Sequence, residues 1–306
     1  MAPSGPLSVP RQPIIRIACP RIPTQPRRAH LFRRCFFTLL PTPPNTRPAD
    51  LPVMTASGPQ GAAIMFKRLI TGIRRKPQDF AALNPELRFY VIGDVHGCDD
   101  LLARLLEQLD PALPLVCLGD YIDRGEQSAA VLRRLMNRPD TTALMGNHEA
   151  MLLDFLIDPV AHAAIWLRNG GLQTLASFGV TGISEHSSAA SLEQGAAALR
   201  AAMGPEMIAW VEGLPTCCQS GNIFMAHAGA DPGAPVSEQF RQQLLWGCPD
   251  ARKVRRKDDI WVVHGHWIVT EPTVADGRIA LDTGAFATGR LTAAEIDLGT
   301  VRFIST

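Results

Sequence analysis

The 306-residue chain is 46% hydrophobic and 19% charged, which is enough to bury a sizeable core and favours one large domain over two small ones. A net charge of +1 gives no reason to expect a nucleic-acid or acidic-membrane partner. Seven cysteines, at 19, 35, 98, 117, 217, 218 and 248, show no CxxC or zinc-finger spacing, so reduced thiols in a cytoplasmic protein are expected. The adjacent Cys217 and Cys218 are the one pair that could serve a metal or redox role.

The first segment stands apart. Thirteen prolines lie before residue 60, and eight arginines but no acid precede Asp50. Its longest apolar run, residues 35–40, falls far short of the ~20 residues that span a bilayer. A secretory signal would need an uninterrupted apolar stretch of about 7–15 residues. The proline density also opposes the amphipathic helix of an organelle transit peptide. Residues 1–64 therefore read as a Pro/Arg-rich leader, either disordered or upstream of a start at Met65 or Met54. The folded domain is expected over 65–306.

From residue 87 apolar runs alternate with helical stretches. Residues 88–92 form a β-prone run ending in Gly93-Asp94. Leucines at 101, 102, 105, 106 and 109 have helical spacing over residues 99–109. A buried strand at 115–118 again ends in Gly-Asp, a helix covers 128–136, and a third strand at 141–145 ends in Gly146-Asn147. Strands alternating with helices predict an α/β core with a largely parallel sheet. Residues 151–210 read as a helical insertion with a Gly-rich turn at Asn169-Gly170-Gly171. Residues 222–226, 260–263, 273–282 and 290–304 are β-rich, the third as a hairpin about Asp276-Gly277. The fold class is thus α/β: a sandwich of two mixed β-sheets flanked by helices, with a helical insertion.

The chemistry-bearing residues sit where strands end. In Gly93-Asp94-Val95-His96-Gly97 a carboxylate and an imidazole are two apart, so in an extended segment they point the same way and can meet one ion. Asp120, Asp123 and Arg124 follow the second strand, and Asn147 and His148 follow the third. Farther on come His227 in Ala226-His227-Ala228-Gly229, and His264 and His266 in Val263-His264-Gly265-His266. Any one of these alone reads as a surface loop, a structural histidine or, for Asp123–Arg124, an ordinary ion pair. Together they offer Asp, His and Asn donors suited to Mn, Fe or Zn.

In their order, GDVHG, GDYIDRG, GNHE, HAG and GH, these segments resemble the phosphoprotein phosphatases of the calcineurin-like metallophosphoesterase superfamily. The bacterial and phage serine/threonine phosphatases are the branch they most resemble. The likeness covers residues 88–298, including Trp166-Leu167-Arg168-Asn169-Gly170-Gly171 and Asp282-Thr283-Gly284-Ala285-Phe286.

The resemblance implies that Asp94, His96 and Asp120 bind one divalent metal and that Asp120, Asn147, His227 and His266 bind the other. Mn²⁺ is expected, with Fe or Zn as alternatives. Two metals about 3.5–4 Å apart activate a water for in-line attack on phosphorus. His148 is implied as the acid that protonates the leaving oxygen, Asp123 as its support, and Arg124 as the phosphate grip.

Two departures from the family pattern stand out. Trp267 follows His266 where relatives commonly carry Thr. Cys248 follows Leu244-Leu245-Trp246-Gly247 where relatives often carry a second phosphate-binding arginine. The basic run Arg252-Lys253-Val254-Arg255-Arg256-Lys257 either supplies a substitute or is a solvated loop. The expected substrate is a phosphoprotein or small phosphomonoester, hydrolysed by a metal-dependent serine/threonine phosphatase. The alternative is a bis(5'-nucleosyl)-tetraphosphatase using the same metal ligands.

Overall fold

A computed structural model of the protein describes residues 80–306. The leader at 1–64 and both candidate start methionines lie outside the described residues.

Strand β1 (Phe89–Ile92) pairs in parallel with β2 (Leu115–Cys117), and β2 with β3 (Thr141–Ala143). All four side chains of β1 are buried, because it is covered on both faces. Phe89 and Val91 face the second sheet, while Tyr90 and Ile92 face the helices. Helix α1 (Asp99–Leu106) opens with Asp99 and Asp100, whose charges suit a helix amino terminus, and buries Leu101, Leu102 and Leu105. It stops three residues short of Leu109. Helix α2 (Ser128–Met136) has the expected bounds.

The first sheet is completed by the hairpin β9 (Thr292–Asp297) and β10 (Thr300–Ser305), giving the order β10-β9-β1-β2-β3. The second sheet has the order β4-β5-β6-β8-β7. Its strands are β4 (Cys217–Ser220), β5 (Ile223–Ala226), β6 (Trp261–His264), β7 (Thr273–Ala275) and β8 (Arg278–Ala280). Both sheets mix parallel and antiparallel pairs. The β7–β8 turn is at Asp276-Gly277, where φ is 51° and 72°, the paired positive angles a tight two-residue hairpin requires.

Val91, Val116, Leu118 and Leu144 meet Met225, Val263 and Ile279 between the sheets. Cys218 joins that layer, whereas Cys217 faces outward with Phe224 and Leu244. Both are core residues, and among the described residues neither belongs to a cluster of metal donors.

Between β3 and β4 lie the helices α3 (Asn147–Ile157), α4 (Pro159–Trp166), α5 (Leu172–Ser177) and α6 (Ala189–Glu212), so the stretch expected to be helical at 151–210 is mainly so. Asp158 caps α4 by accepting the Ala161 N–H, and Pro205 breaks α6 beside Gly204. The expected Gly-rich turn at 169–171 is present as a kink within Leu167–Gly171, where α4 passes into α5. Gly170 alone leaves helical geometry there, at φ 106°.

Candidate metal centre

Loops leave the carboxyl ends of parallel strands in both sheets, the place where open α/β folds gather their chemistry. The loop after β1 delivers Asp94 and His96. The loop after β2 delivers Asp120, Asp123 and Arg124, and the end of β3 leads to Asn147 and His148 at the start of α3. His227 follows β5 and His266 follows β6. The backbone turns sharply at these points. His96, Asp120, Asp123, Arg124 and His266 have φ of 44°, 52°, 70°, 67° and 62°. They are five of the seven non-glycine residues with positive φ among the described residues. Each such conformation costs about 1–2 kcal/mol, so the surroundings must hold these loops in place.

Glu149 holds the one that matters most. Its buried carboxylate accepts N–H bonds from Tyr121 at 2.7 Å and from Asp120 and Gly146 at 2.9 Å. One side chain on α3 thereby fixes the loop carrying Asp120 to the amino terminus of the helix carrying Asn147. Burial, reinforced by the nearby Asp120, raises the Glu149 pKa to about 7.

Asp120 stands at the centre. Its Oδ1 accepts the His148 N–H at 3.0 Å. Its Oδ2 lies 3.5 Å from His96 Nε2, 3.7 Å from His148 Nε2 and 3.3 Å from His227 Nε2. The donor atoms form two groups that share it: His96, Asp120 and His148, and Asp120, His227 and His266. Asn147 Oδ1 adds to the second group, 2.8 Å from His227 Nε2, and His266 Nδ1 lies 3.1 Å from the same nitrogen. Asp94 is adjacent, accepting the His266 N–H at 3.0 and 3.1 Å and lying 4.0 Å from His227 Nδ1. All six metal-ligand candidates from the sequence are thus brought together. His148, expected beside the metals rather than on one, lies within the first group. His264 belongs to neither; it is buried, its Nδ1 3.0 Å from Gly265 O, and burial lowers its pKa to about 4.

The donor chemistry fits divalent cations. His96 Nδ1–H points to Ile122 O at 2.9 Å and His227 Nδ1–H to Leu118 O at 3.2 Å. These bonds turn the other ring nitrogen, Nε2, of each histidine toward Asp120, an orientation usual for metal-binding histidines. Burial lowers His96 to a pKa of about 3, and burial with His227 alongside lowers His266 to about 3, so both are neutral imidazoles ready to ligate. Burial opposes a charge on His227 too, but Asp120 and Asp94 overcome it and raise its pKa to about 9. That proton compensates carboxylates which a cation would otherwise neutralise.

A second constellation adjoins the first. His148 Nδ1 is 2.6 Å from Asp123 Oδ2, both groups being buried. Burial lowers the His148 pKa, yet Asp120 and Asp123 outweigh it and hold the ring above its ordinary value. Arg124 Nη2 lies 3.4 Å from His148 Nε2, and its guanidinium stacks 4.8 Å over the Phe286 ring. Phe286 also meets His96 edge-on at 5.3 Å.

The basic run divides. Arg256 is buried and bonded to Asp258 and to the carbonyls of Asp231 and Ala234 at 2.7 and 2.9 Å, a structural role. Arg255 stacks 4.9 Å over Phe80. Arg252 stacks 4.9 Å over Trp267, whose indole meets the His266 ring edge-on at 4.6 Å. A Cβ at Gly247 would lie 2.7 Å from Trp267 Cζ2, so this glycine makes room for the indole. Glu149, Trp166, Thr174 and Phe286 carried no assigned role in the sequence reading, although all but Thr174 fall inside quoted motifs.

Comparison with known proteins agrees with this geometry. The calcineurin-like phosphoesterase model matches residues 87–284. Serine/threonine-protein phosphatase 2 of Salmonella typhimurium is 31% identical over 228 residues, covering 69% of this chain and 95% of its own. The asymmetrical bis(5'-nucleosyl)-tetraphosphatase PrpE of Bacillus velezensis is 27% identical over 237 residues, covering 67% and 88%. A crystal structure described as a candidate diadenosine tetraphosphatase aligns with TM-score 0.50 at 21% identity, covering 74% of this chain and 98% of that one, which bears on the fold alone. The family match spans most of the described chain and both donor groups. The chain therefore belongs to the calcineurin-like phosphoesterase family, hydrolases of phosphoric esters that work with divalent metal ions.

Proposed function

We propose that the protein removes phosphate from phosphoserine and phosphothreonine. The observation that carries this reading is the buried His148–Asp123 pair at 2.6 Å. A serine or threonine alkoxide is a strongly basic leaving group and needs a proton as the P–O bond breaks, whereas a nucleotide phosphate leaves without one. A histidine raised above its ordinary pKa and oriented by a carboxylate supplies that proton.

Asp94, His96 and Asp120 would hold one divalent ion, and Asp120, Asn147, His227 and His266 the other, a donor set suited to Mn²⁺ and also to Fe or Zn. Such ions, when bound, make water a competent nucleophile near neutral pH and offset charge on the phosphoryl oxygens. The chain's own residues do the remainder. Arg124, braced on Phe286, grips the phosphoryl group and places its leaving oxygen near His148 Nε2. Asp123 keeps Nδ1 protonated so that Nε2 is the nitrogen that gives up its proton. Arg252, held on Trp267 beside His266, supplies the second positive charge in place of the arginine that Cys248 replaces. The site lies in a protein whose described residues include no helix long and apolar enough to cross a membrane.

Hydrolysis of dinucleoside tetraphosphates is the second reading, supported by the PrpE relative. Purified protein with Mn²⁺, assayed in parallel on a phosphothreonine peptide, p-nitrophenyl phosphate and diadenosine tetraphosphate, separates the two. We expect the highest kcat/KM on the peptide; a tenfold preference for the dinucleotide would replace this reading with the second.

A further inference from the structure

The helical insertion does more than flank the site. Trp166, the last residue of α4, donates its Nε1–H to Asp123, 3.0 Å from Oδ2 and 3.2 Å from Oδ1. Thr174 on α5 donates its hydroxyl to Asp123 Oδ1 at 2.6 Å and accepts the Asp123 N–H at 2.9 Å. Ser128 Oγ, 3.0 Å from the Thr174 hydroxyl and 3.1 Å from Asp123 N, closes the network. Asp123, Trp166, Thr174 and Ser128 are all buried with essentially no access to water. The kink between α4 and α5 adds a further hold. Gly170 O accepts the Arg124 N–H at 3.4 Å, and a Cβ at Gly170 would strike the Arg124 backbone. The residues spanning 166–174 therefore grip Asp123 through side chains and Arg124 through the main chain.

We infer that Trp166 and Thr174 are positioning residues that hold Asp123 on His148, and that the insertion thereby sets which leaving groups the site can expel. The inference rests on the proposed acid role of His148. Asp123 has two oxygens and at least three donors. With Thr174 on Oδ1 and Trp166 steadying both oxygens, Oδ2 is presented to His148 Nδ1 in one orientation. Without them the carboxylate can rotate, and the imidazole loses both its fixed tautomer and its aim. In the reaction the His148 Nε2 proton passes to the departing alkoxide oxygen as its bond to phosphorus breaks. Water gives phosphorus the new P–O bond, and the proton it releases restores His148, so alcohol and phosphate are the sole products. Asp123 stays ionised throughout and keeps the Nδ1 proton in place.

A purely structural role would slow every substrate alike. A positioning role slows only substrates that need the acid. The test compares kcat on a phosphothreonine peptide with kcat on p-nitrophenyl phosphate, whose phenolate leaves with little help, at saturating Mn²⁺. Trp166→Phe keeps the ring that packs 4.6 Å from Phe155 but removes the donor. Thr174→Val removes the hydroxyl, and Thr174→Ser restores it. His148→Asn is the reference.

We expect the peptide-to-nitrophenyl ratio to fall about tenfold in the Trp166→Phe/Thr174→Val double variant. Thr174→Ser should stay near the parent ratio, and His148→Asn should show the largest fall. Equal losses on both substrates, or no loss on either, overturn the inference while leaving His148 as the acid if its own variant shifts the ratio. An unchanged ratio in His148→Asn removes the acid reading and the clamp with it.

Discussion

Gly265 offers the sharpest test of how the two sheets assemble one metal centre. It sits between His264 and His266, directly over the Asp94 carboxylate. A methyl group there would lie 3.1 Å from Asp94 Cγ and 3.7 Å from Oδ2, with Oδ1 well inside the 3.0 Å that real Cβ atoms keep from other atoms. Gly265→Ala must therefore push Asp94 Oδ1 or the His266 loop away by about 1 Å. Metal coordination tolerates only ~0.2 Å. The same displacement breaks the His266 N–H bonds to Asp94, at 3.0 and 3.1 Å.

Losses of this kind around metal ligands cost 10–100-fold in affinity or activity, about 1.4–2.7 kcal/mol. The assay is Mn²⁺ titration of the metal-stripped protein, followed by activity and by bound metal at each concentration. The midpoint should move up by that factor, and the clash should cost the metal-free protein about 1–3 kcal/mol of stability as well. Gly299→Ala is the control: φ is 67° and nothing lies within 4 Å, so it should cost about 1 kcal/mol of stability and leave the metal midpoint alone. An unmoved midpoint in Gly265→Ala would refute the placement of Asp94 and His266 around bound metal.

Other expectations follow from the same geometry. Glu149→Gln turns an amide NH₂ toward at least one of three buried N–H donors and should cost about 2–4 kcal/mol, seen as a Tm lower by roughly 5–10 °C. Arg252→Ala should raise KM for phosphorylated substrates about tenfold with kcat little changed, the pattern of a lost binding contact; an unchanged KM would return that arginine to the solvated loop. Chelation with EDTA should abolish turnover and lower Tm, both restored by added Mn²⁺, because metal bound to the native state alone stabilises it. Burial pushes the Cys117 thiol up to about 12, so at pH 8 it stays protonated and peptide mapping should find it unlabelled by iodoacetamide.

Much of this architecture was legible from local signals. Residues 89–92 and 115–117 read as strands because both faces are covered, leaving continuous apolar runs that end in Gly-Asp. Strand β4 escaped notice because Cys217-Cys218-Gln219-Ser220 has neither a run nor an alternation that marks a strand. The Gly170-Gly171 pair reads as a turn by composition. The chain does turn there, at Gly170; what composition could not show is that Trp166 packs on Gly171 and Gly170 on Arg124, contacts no window along the chain contains.

The site divides the same way. Its ligand candidates follow strands and carry glycine neighbours, so they could be listed in advance. Glu149, Trp166 and Thr174 act across 28 or 29, 43 and 51 residues of sequence, as ordinary-looking members of helices. Nothing local distinguishes a helical tryptophan that fills a core from one that also anchors a catalytic carboxylate.

The left-handed backbone of His96, Asp120, Asp123, Arg124 and His266 has a consequence for anyone who would engineer this protein. Glycine at these positions would relax the main chain at no steric cost, so selection for thermal tolerance in the metal-free chain would drift toward erasing the very residues that make it an enzyme. Stabilising campaigns should hold those five positions fixed and seek their gains in the outer turns. Durability and turnover are here drawn from the same stretch of backbone.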